Sequence, residues 1–124
     1  ILDAKVVDRQ HWNRGTGTVE IAMTDTGRKL LGAENQNLSI HYGQGPLLAP
    51  GNRPDIDDYE IVATFETEIA MNGAPEGVMK GTTAIAKGRY GSGRVICFSP
   101  HPEMTDGLEH MVRLAIDHVK RDRE

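Results

Sequence analysis

Residues 93–110 read GRVICFSPHPEMTDGLEH, and the reading of this stretch decides the fold. Val95, Ile96, Cys97 and Phe98 form an apolar run of β-branched and aromatic character, the composition of a strand. Pro100 lacks an N–H and tends to end a central strand, while Pro102 confines His101 to extended backbone. From Asp106 onward, Leu108, Met111, Val112, Ala115 and Val119 recur at helical spacing and predict an amphipathic helix. Asp106 with Glu109 three residues later has capping-box spacing, and Thr105 is the other cap candidate. His101 and Glu103 therefore sit where a strand hands over to a helix. In open α/β sheets, ligands bind beyond the carboxyl ends of strands, so this is the address of a site.

Working outward, TTAIAKGRYGSGRVICFS (82–99) reads as a hairpin whose two strands join through YGSG (90–93). ILDAKVVD (1–8), TVEIAMT (18–24), NLSIHYG (37–43) and YEIVATFETEIA (59–70) are strands by alternation or β-branched content. DTGRKLLG (25–32) predicts one helical turn stopped by Gly32. HWNRGTGT (11–18) is a turn, and QGPLLAPGNRPDIDD (44–58) and MNGAPEGVMKG (71–81) are irregular loops. Five or six strands with one long helix leave a sheet face largely uncovered. RVICF is apolar toward both faces, so a strand buried on both sides is expected there. The missing cover then comes from another segment or another chain. A strand that opens at Ile1 points the same way, and residues 1–124 read as a single partial domain.

The chain has 124 residues, enough for one small core. Its 38% hydrophobic and 26% charged content is that of an ordinary globular protein rather than a disordered one. A net charge of −4 without a Lys/Arg cluster argues against nucleic acid and polybasic membrane partners. The densest basic stretch, KRDRE (120–124), alternates with acids as a solvated helix end. No apolar run approaches the ~20 residues that cross a bilayer, and no signal peptide is visible. The single cysteine, Cys97, excludes an internal disulfide framework and suits a cytoplasmic setting.

If the backbone turns after His101, the Glu103 carboxylate can orient the imidazole and stabilise its charged form. Such a histidine needs a Cys or Ser nucleophile. Spacing alone leaves a simpler alternative open, a rigid turn whose histidine and acid are merely solvated. Cys97 is not that nucleophile: at ~3.3 Å per strand residue it lies roughly 13 Å from His101. It also lacks the glycine-flanked elbow that exposes a nucleophile, and reads as a structural cysteine.

YGSGRVICFSPHPE resembles the last hairpin of the class I glutamine amidotransferase-like superfamily. Together with HWNRGTGTVEIAMTDTGRKLLG and YGQGPLL, it is most similar to the biotin-protein ligase N-terminal domain-like family, over nearly the whole chain. The resemblance implies the C-terminal half of a flavodoxin-like α/β domain, strand-rich with a C-terminal helix. It matches His101 to the general base and Glu103 to the orienting acid of a Cys-His-Glu triad that hydrolyses a glutamine-type amide through a thioester. The elbow that carries the cysteine belongs to the other half of such a domain and is absent here, so the chain alone is expected to be inactive. Its partners would be that missing half or a second copy, with a small-molecule amide as substrate and no cofactor. The alternative is a binding or regulatory module that keeps the fold without the chemistry.

HYGQGPLL places His41, Tyr42 and Gln44 in a Gly/Pro segment after a strand, where they can line the same cleft and contact substrate. RGTGT beside Arg14 superficially resembles an anion loop but lacks the Gly-x-x-x-x-Gly-Lys spacing, and reads as a turn. His101, Glu103 and His110 are the only metal-ligand grouping to weigh, without HExxH or paired Cys/His spacing, and no metal is expected. His11 and His118 read as surface residues, and Trp12 as a packing anchor beside the turn.

Overall fold

Val19, Ile21 and Met23 alternate with Thr18, Glu20 and Ala22. In the computed structural model, which describes residues 2–120, this apolar set is buried along β2 (Thr16–Met23). The other strands are β1 (Ala4–Val7), β3 (Asn37–Gly43), β4 (Leu47–Pro50), β5 (Glu60–Phe65), β6 (Thr83–Tyr90) and β7 (Gly93–Phe98). Two helices accompany them, α1 (Asp25–Leu31) and α2 (His110–Lys120). The described strands form one sheet in the order β1-β4-β6-β5-β2-β3, with β7 paired to β6. The architecture is mixed α/β with a C-terminal helix. In place of the parallel ladders of a flavodoxin-like sheet, every ladder between these strands is antiparallel. Ile1 of the first expected strand, and the KRDRE stretch beyond Lys120, lie outside the described residues.

The strand buried on both sides is β6, not β7. β5 lies along one edge of β6, while the other is shared by β4 at Thr83 and by β7 from Ile85 to Tyr90. Thr83, Ala84, Ile85 and Ala86 are buried in succession. β7 pairs only with β6 among the described strands and is half-buried from Arg94 to Phe98, despite its apolar sequence. The hairpin through YGSG forms as expected: Tyr90 opposes Gly93, and Gly91 takes the positive φ of 60° that the two-residue loop requires.

Beyond shifts of a few residues in β1 and β2, three elements differ from expectation. Residues 44–58 contain a strand, β4, confined between Pro46 and Pro50, with Leu47 and Leu48 buried. β5 stops at Phe65, where its ladder with β2 gives way to a side chain: the Glu66 N–H still donates to the Glu20 carbonyl at 2.8 Å, but the Glu20 N–H donates to Thr67 Oγ1 at 2.9 Å. α2 begins at His110 rather than Asp106. A 3-10 turn, Pro102–Met104, comes first, and the Thr105 hydroxyl is engaged elsewhere rather than capping. Glu109 still turns back: its own N–H and those of Gly107 and Leu108 hold its carboxyl below the usual range.

α1 and α2 pack against one another, α1 also on β5 and α2 on β7. Thr24 caps α1 by accepting the Gly27 N–H at 3.0 Å, and Gly32 ends it with φ 68°. Between α2 and β7 an open groove of about 610 Å³ is lined by Val95, Ile96, Phe98, Val112, Ile116 and Val119 among others. It is a largely apolar surface that the described residues leave open. No helix among the described residues is long and apolar enough to cross a membrane.

Gly27 is where α1 meets β5. A Cβ there would lie 2.3 Å from the Val62 carbonyl oxygen, and backbone cannot yield as a side chain does. Gly27→Ala is expected to destabilise the protein by about 1–3 kcal/mol in urea unfolding, despite alanine's better helix propensity. An unchanged or raised midpoint would contradict the packing of α1.

Candidate functional site

Past Phe98 the backbone stays tied to the sheet. The Ser99 N–H donates to the Ala84 carbonyl at 2.8 Å, and Ser99 Oγ to the Pro46 carbonyl at 2.5 Å. His101 then bridges to β3: its N–H donates to the His41 carbonyl at 2.8 Å, an isolated antiparallel bridge. Thr105 locks the bridge with a single hydroxyl, which accepts the His41 N–H at 2.9 Å and donates to the His101 carbonyl at 2.8 Å. His101 has φ −117°, the extended backbone that a following proline imposes.

Pro102 is buried and starts the 3-10 turn, which swings Glu103 back over His101. Glu103 Oε2 lies 2.8 Å from His101 Nδ1. A carboxylate there makes Nδ1 the protonated nitrogen and leaves Nε2 as the lone pair. The His101 side chain is 36% exposed, so an outside group can reach it. Partial burial pushes the Glu103 carboxyl up, but its own backbone N–H, the bond to His101 and the charges of His101 and His41 hold it below the ordinary range.

The structure brings His41 to this pair, its ring centroid 6.0 Å from that of His101 and tilted by 45°. It does not bring Tyr42. That side chain is fully buried, edge-on to Phe65 at 5.7 Å, with its hydroxyl donated to the Gly45 carbonyl at 2.7 Å, and burial raises its pKa. Alternation along β3 explains the split, since neighbouring residues face opposite sides. Gln44 follows the strand at φ 61° and its amide bonds to Asn13. Cys97 opposes Ala86 within the sheet, and burial raises its thiol pKa, the reverse of an activated thiolate. His110 lies beside Gly32 at the end of α1, and no group of three His, Cys, Asp or Glu among the described residues is placed to hold a metal.

Two further assignments change, that of His118 to the surface and that of Trp12 to a packing anchor, and Arg14 takes the anchoring place. His118 is buried on α2, whose inward face it shares with Met111 and Ala115. Trp12 is 66% exposed rather than packed. Arg14 is the buried residue of that turn: it donates to the carbonyls of Ile69 and Pro75, both at 2.9 Å, and to Asp8 at 3.1 Å. Its donors clamp loops together rather than cradle an anion. The Thr105 lock also escaped the sequence, where that hydroxyl carries only the signature of a helix cap.

Comparison of the chain with protein-family models, curated proteins and solved structures finds no match in any of the three.

A lowered carboxyl pKa has a definite sign. The Glu103 pairing stabilises the fold above the unfolded value of 4.5, and that contribution is lost as pH falls through the lower folded value. NMR titration of the Glu103 carboxyl carbon is expected to show a midpoint below 4.5, and His101→Ala to raise it. A midpoint insensitive to His101→Ala would contradict the pairing.

Proposed function

We propose that the protein is the part of a class I glutamine amidotransferase-like domain that supplies the base and orienting acid of a Cys-His-Glu triad, acting on a glutamine-type amide. The observation that carries this reading is the 2.8 Å contact from Glu103 Oε2 to His101 Nδ1 just past the end of β7, which leaves Nε2 to exchange a proton. The flavodoxin-like parallel strands and the cysteine elbow belong to a complementary segment. That segment, or a second copy of the chain, is the protein partner, and the apolar groove between α2 and β7 supports such an association. The site works in the cytoplasm, where a thiol nucleophile stays reduced.

In this reading His101 Nε2 takes the proton of the cysteine thiol, and the thiolate attacks the amide carbon. The tetrahedral intermediate collapses as His101 returns the proton to the leaving nitrogen, releasing ammonia and leaving a thioester. Water then attacks the thioester while Nε2 accepts its proton, and the proton passes back to the thiolate as the acid departs. Glu103 holds Nδ1 throughout and stabilises the imidazolium that forms twice in the cycle. Cys97 takes no part, because its burial favours the neutral thiol.

The test is glutamine hydrolysis by the full-length gene product, with a cysteine-directed electrophile to trap the nucleophile. His101→Ala is expected to lower kcat by ~10² or more, the scale of a lost general base, and Glu103→Gln to lower it less. Hydrolysis indifferent to His101→Ala, or none at all, would overturn the reading in favour of a binding module.

A further inference from the structure

The chain has one tryptophan, Trp12, and the fold leaves it 66% exposed. Trp12 lines a cavity of about 260 Å³ between the end of β1, with the turn after it, and residues 44–47. Val7 and Leu47, opposed in the ladder of β1 with β4, supply apolar lining, and so does Val6, itself 43% exposed. None of the residues around this cavity borders the groove between α2 and β7 on which His101 lies, so the two are separate.

Most polar groups of the lining are already engaged. Asp8 gives Oδ1 to His11 Nδ1 at 2.7 Å and Oδ2 to Arg14 at 3.1 Å. Arg14 reaches on to the carbonyls of Ile69 and Pro75, and the Gln44 amide is bonded to Asn13. These bonds hold the walls in place. Asp8 and Gln44 take φ values of 55° and 61°, backbone conformations that persist only where neighbours hold them. Two side chains remain available: among the described residues, no hydrogen bond, ion pair or ring contact engages the side chain of Arg9 or Trp12. The charge of Asp8 is matched by Arg14, so Arg9 leaves this lining with an uncompensated positive charge on a protein of net charge −4.

We infer that this cavity is a binding site for a small aromatic carboxylate. The ring lies against the Trp12 indole and the apolar lining of β1, and the carboxylate pairs with the Arg9 guanidinium. Each feature sets aside a different ligand. An inorganic anion would leave Trp12 and the two valines without a contact. A saturated acid would forgo stacking on the indole, and a neutral ring would leave Arg9 without a counter-charge. The volume falls below the ~300–1,000 Å³ typical of pockets for drug-sized ligands, so one ring with a short substituent fills it. Nothing in this site depends on the role of His101.

Titration of the 124-residue chain with benzoate tests this, read by Trp12 fluorescence and by the single indole N–H resonance. Both signals are expected to shift to saturation with a Kd of about 1 mM or below, the range open to a ligand of this size. Benzamide, the neutral analogue, is expected to bind about fivefold more weakly. Arg9→Gln is expected to weaken benzoate by a similar factor and to remove its advantage over benzamide. Cyclohexanecarboxylate keeps the charge without the aromatic face and is expected to bind about tenfold more weakly than benzoate. Trp12→Ala, followed through the proton line widths of benzoate, is expected to cost about as much. Arg9 and Trp12 are both exposed, so neither substitution disturbs the core. No saturation up to about 10 mM benzoate would overturn the inference. So would cyclohexanecarboxylate or inorganic phosphate binding as tightly as benzoate, or an Arg9→Gln variant with wild-type affinity.

Discussion

The arrangement of this molecule depends on a backbone bridge between two histidines. The His101 N–H meets the His41 carbonyl, and one threonine hydroxyl, Thr105, bonds to both residues. Without the bridge the sheet would be an open path running from β3 through β2, β5 and β6 to β7. With it, the chain beyond β7 returns to β3 and the path closes on itself. Closure fixes the spot at which the backbone leaves the sheet, and so where the imidazole of His101 and the carboxylate of Glu103 come together. A neutral hydrogen bond is worth only about 1 kcal/mol net, but the backbone bond and the two that share the Thr105 hydroxyl together specify a single geometry.

A histidine beside a carboxylate is not in itself a site, and the same chain supplies the contrast. His11 Nδ1 lies 2.7 Å from Asp8 Oδ1, as close a contact as that of His101 with Glu103. Asp8, however, also accepts from Arg14, a buried guanidinium that reaches the carbonyls of Ile69 and Pro75. The bond to His11, against a smaller cost of burial, is the largest influence holding the Asp8 carboxyl below its usual range, and Arg14 adds to it. That acid belongs to a structural clamp. Among the described residues Glu103 binds no guanidinium: its partners are its own backbone and His101, with the His41 charge nearby. The second pair is therefore organised around its histidine rather than around a buried cation.

Much of the site was legible because the chemistry that builds it is local. Two prolines around His101, a turn that sends Glu103 back and a hairpin through YGSG are all events within a few residues, and their backbone consequences follow from covalent geometry. What stayed hidden depends on distant neighbours. Thr105 has the local signature of a helix cap, yet its hydroxyl is taken by residues 41 and 101. RVICF has the composition of a central strand, but centrality is decided by pairing, and the alanine-rich β6 holds that place. Tyr42 and His41 are adjacent in sequence, and only the burial of one strand face says which belongs to the core. Arg14 in RGTGT has the local look of a turn residue, and only its bonds to Ile69 and Pro75 show that it is buried.

The central claim is that Glu103 fixes His101 with Nδ1 protonated and Nε2 left as the lone pair. Nitrogen-15 NMR of the imidazole distinguishes the two neutral tautomers directly. At a pH where the His101 ring is neutral, the account predicts the Nδ1–H form in the wild type, with that preference weakened in Glu103→Ala. A ring found in the Nε2–H form, or a tautomer unaffected by Glu103→Ala, would contradict it.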